Sequence, residues 1–490
     1  MTQAREKWGS QLGFVLAAAG SAVGLGNIWR FPYVAGENGG GIFIAIYVVC
    51  VIVLGLPVML AEMAIGRASQ RNPVGAFKVL KPGTPWFTVG GMGVLCGFII
   101  LSFYCVVAGW TLGYVVESVR GVLTDASPDE IAAHFKGFIA NPLLGLGYFV
   151  AMMALSMFVV ARGIKSGIER WSKILMPALL FMLLLVMFRS LSLEGSAAGL
   201  EFIFWPDLDK LTPGVLLQAM GQAFFSMSLG MGAMLTYGSY LSRERNMPKS
   251  ALSVGGLDLL VALLGGMAIF PALFAFNMDP QAGPGLVFIT LPVIFGQIPF
   301  GQVFMTLFFV LLVVAALTST ISLVEVISSF LIDELGWTRG KAVVVMGVAT
   351  TLLGVPSALS AGILSADVIG FDFMGLAEKV SADYMLPIGA LLLSIFAGFI
   401  WGKENVLAEL REGSSGFLAL GEVWLFVVRF IAPFIIAQII IIGFLGEFAA
   451  LKEVVTKLST VASIIDAVLV VLVIVGAIGY LGMKGRAAKA

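Results

Sequence analysis

The chain has 490 residues, 59% of them hydrophobic and only 12% charged, with a mean hydropathy of +1.02 and a formal net charge of zero. A water-soluble surface needs about twice that charge fraction, so a soluble enzyme, a disordered chain and a coiled coil are all excluded. The 29 basic and 29 acidic residues balance and leave no electrostatic footprint for a nucleic-acid partner. Cys50, Cys96 and Cys105 sit in apolar runs without CxxC spacing, and His134 is the single histidine, which argues against a disulfide framework, a zinc site or haem.

A bilayer core of about 30 Å takes about 20 apolar residues per helix. Runs of that length recur at 12–34, 41–66, 88–119, 142–161, 168–189, 214–241, 251–277, 299–331, 341–363, 371–402, 421–446 and 460–483. They predict an all-α polytopic membrane protein of about twelve helices, forming one membrane domain over 1–490. The stretch 190–213 is expected to be a loop carrying a short helix of its own. The first apolar run lacks a small-residue cleavage site, so no removable signal peptide is expected. With the N-terminus in the cytoplasm, Arg5, Lys7, Arg67, Arg71, Lys78, Lys81, Arg162, Lys165, Arg170, Lys173, Arg243, Arg245, Lys249, Arg339 and Lys341 fall on the inner side. The outer segments hold few basic residues, Lys136, Lys210, Lys452 and Lys457 among them. This bias predicts a multi-pass protein of the cell membrane with a cytoplasmic N-terminus.

Two windows contain strings that oppose a helix. The first reads Gly20-Ser-Ala-Val-Gly24-Leu-Gly26-Asn27 and the sixth Ser226-Met-Ser-Leu-Gly230-Met-Gly232. Each glycine costs about 1 kcal/mol against alanine in a helix interior, and Ser and Asn compete for backbone hydrogen bonds. Gly20-x-x-x-Gly24 alone would fit close helix packing. Breaks at matching positions in two halves point instead to a transporter with an inverted repeat and a midplane site. An unwound turn frees carbonyls for a cation and N–H groups for a carboxylate. The oxygens of Asn27, Ser226, Thr318 and Ser319 suit a hard cation. Asp258 falls inside the seventh window and needs a cation or a proton if it lies at membrane depth; a position nearer the interface is the alternative. Glu62 is placed to accept N–H groups freed by a broken helix. Glu325, Arg429 and Asp466 are further intramembrane ionisable residues without an assigned partner, Arg429 being equally explained by snorkelling.

The string Gly20–Asn27-Ile-Trp-Arg30-Phe-Pro-Tyr33 after Trp8, followed by Glu37-Asn-Gly-Gly-Gly41, resembles the first-helix signature of the neurotransmitter:sodium symporter family, in particular its bacterial leucine-transporter-type amino acid carriers. Gly221–Gly232, Gly163–Glu169 and Ala315–Ser319 resemble further stretches of that family. The resemblance implies five helices plus five in inverted repeat (about 10–189 and 214–402), with helices 1 and 6 unwound, and two added helices (about 421–483). It implies a first sodium site from the Ala22 carbonyl, Asn27, Ser226, Asp258 and the substrate carboxylate. A second follows from carbonyls of Gly20, Val23 and Ala315 with the hydroxyls of Thr318 and Ser319. Chloride-dependent members use Tyr47, Gln222 and the Ser226 position, with a serine where this chain has Ala262; Asp258 is expected to replace that chloride.

By the same resemblance the substrate carboxylate meets the N–H groups near Leu25 and Gly26 and the hydroxyl of Tyr104. The ammonium meets carbonyls at Ala22, Phe225 and around Ser226. The side-chain pocket is implied to be Ser21, Ile100, Met227, Ser228, Met231, Ser319 and Leu323, without a charge, and Gly24 replaces the aspartate of the family's monoamine carriers. Plain helix packing is the alternative role of the two methionines. An outer gate is implied from Arg30 with Asp372, with Tyr104 and Phe225 closing over the substrate. An inner gate is implied from Arg5 with Asp333, helped by Trp8, Ser239 and Tyr240. These expectations amount to sodium-coupled uptake of a neutral, hydrophobic amino acid without chloride. An ion channel would need only one gate, and a membrane enzyme would need a nucleophile–base pair or an HExxH or GxSxG string, which the sequence lacks.

Overall fold

The computed structural model describes residues 5–124, 126–280, 285–365, 371–414, 420–446 and parts of 461–473. The described elements are α1 (Gln11–Ala22), α2 (Gly26–Glu37), α3 (Gly41–Ser69), α4 (Pro73–Leu80), α5 (Phe87–Arg120), α6 (Pro128–Ala140), α7 (Pro142–Ala161) and α8 (Ile164–Leu191). They continue as α9 (Ala197–Phe204), α10 (Pro213–Ser226), α11 (Ala233–Gly238), α12 (Met247–Ala275), α13 (Leu286–Gly296) and α14 (Gly301–Leu335). The last four are α15 (Arg339–Leu359), α16 (Phe373–Ile400), α17 (Lys403–Arg411) and α18 (Gly421–Leu445). Among the described residues nine helices are long and apolar enough to cross a membrane, and α1 with α2, bent by 50°, makes a tenth. Helices α10 and α11 fill the sixth window, interrupted at 227–232. Most of the window 460–483 lies outside the described residues.

Turn chemistry explains many of the boundaries. Asn72 caps α4 by accepting from the N–H groups of Val74 and Gly75, and Ser10 caps α1 by accepting from that of Gly13. Ser127-Pro-Asp-Glu130 forms a capping box that starts α6, and its hydrogen bonds hold the Glu130 carboxyl below the usual carboxylate range. The 190–213 stretch carries α9, the expected short helix.

Burial sorts the helices into a centre and a rim. The apolar stretch of α14 is 78% buried and that of α5 72%, against 39% in both α7 and α8. Helices α5 and α14 pack along each other at the centre, while Leu143, Phe181 and Leu352 point outward, as a lipid-facing rim requires. The half-helix α11 lies against α3 at Gly66, where a Cβ would come within 2.0 Å of the Leu235 carbonyl oxygen. The broken pairs α1–α2 and α10–α11 thus lie against α3, α12 and α14, and α5 reaches them through Tyr104 and Gly93.

Candidate functional site

The first break opens at Val23, whose ψ of 102° leaves the helical region. The freed N–H of Leu25 donates to the Tyr104 hydroxyl (3.0 Å), and that of Gly24 to Asn27 Oδ1 (3.2 Å). The second break, 227–232, is held open by positive φ at Ser228 (54°), Gly230 (87°) and Gly232 (77°). Glycine takes that conformation without a Cβ penalty. The Gly230 N–H donates to Glu62 Oε1 at 2.6 Å, so this carboxylate receives a freed donor of the broken helix.

Asp258 lies mid-helix in α12 with no exposed surface. Asn27 Nδ2 donates to Asp258 Oδ1 (2.8 Å), Ser226 Oγ to the same carboxylate (3.0 and 3.1 Å), and the Tyr47 hydroxyl reaches Oδ2 at 3.3 Å. These neighbours are neutral. A buried carboxylate ringed by neutral donors, beside a turn with free carbonyls, is a place for a cation. On the other side of the same turn, Thr318 Oγ1 lies 2.9 Å from the Ala315 carbonyl oxygen and 3.4 Å from that of Val23. Gly20 packs on Thr318. Ser319 instead turns inward, with Oγ 3.4 Å from the Ser21 carbonyl oxygen and close to Gly24.

Between the two breaks is a cavity lined by Ser21, Ala22, Gly24, Gly26, Ile100, Tyr104, Phe225, Ser226, Ser228, Met231, Ser319, Ser322, Leu323 and Leu386. Along α5 the Tyr104 hydroxyl meets the unwound turn, while Leu323 lies by Gly97 and the Met231 main chain by Gly93 further along the same helix. Gly24 keeps the space beside that hydroxyl open, since a Cβ there would lie 2.3 Å from Ser319 Oγ and 2.8 Å from the Tyr104 hydroxyl. Met227 departs from the expected pocket. It is fully buried with its sulfur against Gly55 and its methyl toward Gly255, so it packs the back of the broken turn. Ser322 and Leu386 line the cavity and were not among the expected residues. Ser322 was accessible to helical spacing, three residues after Ser319; Leu386 carried no local signal.

Phe225 and Leu386 line both this cavity and a wider vestibule beside Arg30, Gln218, Asp383 and Tyr384. The expected Arg30–Asp372 pair is not formed. Arg30 donates to Gln222 Oε1 (2.5 Å) and lies over the Phe225 ring at 4.9 Å. Gln222 Nε2 in turn donates to the Gly26 carbonyl (2.9 Å), while Asp372 caps α16 by accepting from the Gly375 N–H (2.6 Å). Each partner is satisfied locally. On the opposite face Arg5 pairs with Asp333, donates to Ser239 Oγ (2.6 Å) and covers the Tyr240 ring at 4.6 Å. Trp8 Nε1 donates to the Tyr237 carbonyl (2.9 Å) and the Trp8 N–H to that of Tyr240 (3.2 Å). Glu325 acquires partners: it accepts from the Tyr240 hydroxyl and from Arg339 Nη1, both at 2.6 Å. Arg429 donates to the Gly398 carbonyl, and Asp466 accepts from Gln438 Nε2 (2.7 Å).

A helical membrane protein with a closed hollow between two broken helices and separate closures on its two faces is built as a carrier. The description "Sodium:neurotransmitter symporter family" matches residues 5–132 and 144–480, and the chain belongs to that family of transporters. An uncharacterised sodium-dependent transporter of Bacillus subtilis (strain 168) is 42% identical over 443 residues, covering 90% of this chain and 98% of that one. A counterpart from Haemophilus influenzae is 36% identical, covering 89% and 98%. The crystal structure of MhsT in complex with L-phenylalanine superposes with a TM-score of 0.83 at 45% identity, covering 91% of this chain and all of that one.

Proposed function

We propose that the protein takes up a neutral, hydrophobic amino acid into the cell by alternating access, driven by two sodium ions and independent of chloride. The N-terminus is cytoplasmic in this reading, and the two five-helix repeats, about 10–189 and 214–402, carry the transport cycle with two further helices beside them. The observation that carries the reading is the Asp258 cluster: a fully buried carboxylate with neutral donors on the unwound turn. A sodium ion there, held also by the Ala22 carbonyl, Asn27 and Ser226, supplies the missing charge and touches the substrate carboxylate, so each strengthens the binding of the other. The second sodium takes the neutral oxygens of Gly20, Val23, Ala315 and Thr318, and Ser319, whose hydroxyl faces the cavity here, joins them by turning from its contact with Gly24. The Leu25 and Gly26 N–H groups with the Tyr104 hydroxyl receive the carboxylate; carbonyls at Ala22 and Phe225 receive the ammonium. Among the described residues no charged side chain lines the cavity, which favours an uncharged substrate side chain, and the relative solved with L-phenylalanine fits that choice.

Energy decides the ion number. One charge moved through 100 mV gives about 2.3 kcal/mol and a tenfold gradient about 1.4 kcal/mol. Two ions therefore supply roughly 7 kcal/mol, enough for about 10⁵-fold accumulation, against several hundredfold for one. The fixed Asp258 charge does the work that chloride does elsewhere in the family. Proteoliposome uptake with sodium exchanged for choline, and separately chloride for gluconate, tests this. Uptake is expected to vanish in the first exchange and persist in the second, and Asp258→Asn is expected to lower it at least tenfold. A steep chloride requirement in the unaltered protein would overturn chloride independence.

A further inference from the structure

The cavity is richer in hydroxyls than in formal polarity, and the directions of their hydrogen bonds are fixed by chemistry. Ser322 Oγ lies 2.8 Å from the Ser319 carbonyl oxygen, which can only accept, so the Ser322 proton is committed there. Ser21 Oγ lies 2.8 Å from Ser322 Oγ and must then be the donor of that pair. Ser228 Oγ donates to the Ser21 carbonyl at 3.0 Å. These hydroxyl protons are spent on protein acceptors. What remains toward the cavity is an acceptor: among the described residues nothing donates to Ser21 Oγ, whose lone pairs are free. Ser21 lines the cavity together with Ile100 and Leu323, and its partner Ser322 adjoins Leu323, one helical turn along α14 from Ser319.

We propose that Ser21 Oγ, oriented by Ser322, is a specificity-determining acceptor that favours neutral substrate side chains ending in a hydrogen-bond donor, such as a phenol or an indole, over ones of equal size without a donor. This rests on the reading that the cavity holds an amino acid. Discrimination is modest, because the Ser21–Ser322–Ser319 chain is already satisfied and an apolar tip leaves no buried donor unpaired. A net hydrogen bond of ordinary strength corresponds to about two- to tenfold in affinity.

The test uses the whole protein in proteoliposomes with a sodium gradient, with L-tyrosine and L-4-fluorophenylalanine as the probe pair of similar length. The quantity read is the ratio of their inhibition constants against labelled L-phenylalanine uptake, in the unaltered protein and in Ser21→Ala. The ratio is expected to shift about two- to tenfold against tyrosine in the variant. A merely structural role for Ser21 would weaken both probes together and leave the ratio unmoved, which would overturn the proposal. Ser21→Cys, nearly isosteric and a poor acceptor, gives the same reading should the alanine variant fail to fold. Should neither probe inhibit a sodium-driven uptake in the unaltered protein, the proposed function fails with it. An unmoved ratio with sodium-driven uptake intact removes the acceptor assignment alone.

Discussion

The two faces of the central hollow are shut by opposite chemistry. Toward Arg5 the seal is ionic and layered: Arg5 with Asp333, Arg339 with Glu325 and Glu6, and the main chain of Trp8 and Gly9 bonded to Tyr240 and Glu169. Toward Arg30 the seal is one aromatic ring, with a cation stacked on it that donates to a neutral amide and lies within the field of the half-buried Glu378 carboxyl. Breaking the first means separating several charged pairs, of which Arg5–Asp333 and Arg339–Glu325 are largely buried and Arg339–Glu6 is half-exposed on the glutamate side, whereas the second rests on the Phe225 ring and the contacts of Arg30. Partly buried charged hydrogen bonds are worth more than exposed ones, so the difference is energetic as well as geometric.

The comparison breaks most visibly at Arg5. Arg5→Ala removes an ion pair, a hydroxyl contact and a ring contact at once, and about 2 kcal/mol of closure should go with them, a shift of roughly thirtyfold toward the opened state. Hydrogen exchange at the Trp8 and Gly9 amides reads this directly, because both are held only while the segment is docked. Exchange as slow as in the unaltered protein would show that the layered seal does not depend on Arg5. A smaller effect is expected at Phe225. Phe225→Ala removes the ring between cavity and vestibule and the surface on which Arg30 rests, worth about 1.4 kcal/mol, or roughly a tenfold faster release of bound L-phenylalanine. Phe225→Tyr keeps the ring and should stay within about twofold. Equal release rates in both variants would place the outer seal elsewhere.

Much of this could be read from the residues alone, and the failures have a common cause. Hydropathy located the spans because the bilayer sets their length, and the paired Gly-x-Gly strings located the breaks because glycine is expensive inside a helix. Asp258 stood out because an acid at membrane depth needs a partner. Side-chain direction in unwound backbone was illegible. Met227 follows a helix but precedes a run with positive φ at Ser228, so no 3.6-residue period says which way it points, and it points away from the cavity. Long-range pairing was equally hidden. Arg30 meets Gln222, 192 residues away, and Glu325 meets Tyr240 across 85, and nothing in the local pattern chooses these over Asp372 or solvent.

The smallest expected effect sharpens the aromatic face. Asp372 has two candidate jobs, ion-pair partner of Arg30 and cap of α16, and in this structure it performs the second, accepting from the Gly375 N–H. The two roles respond differently to the same change. Asparagine caps a helix nearly as well as aspartate but carries no charge. Asp372→Asn should therefore leave uptake within about twofold of the unaltered protein, because the cap survives. Asp372→Ala should cost about 1 kcal/mol of local stability, seen as faster amide exchange at Gly375 and Leu376, whose N–H groups Asp372 holds through its side chain and carbonyl. Arg30→Gln, which strips the cation from the Phe225 ring and from Gln222, should cost several times more uptake than either. If Asp372→Asn instead lowers uptake as far as Arg30→Gln does, the two residues act as a charge pair at some stage of the cycle, and the aromatic face closes by ions as the opposite face does.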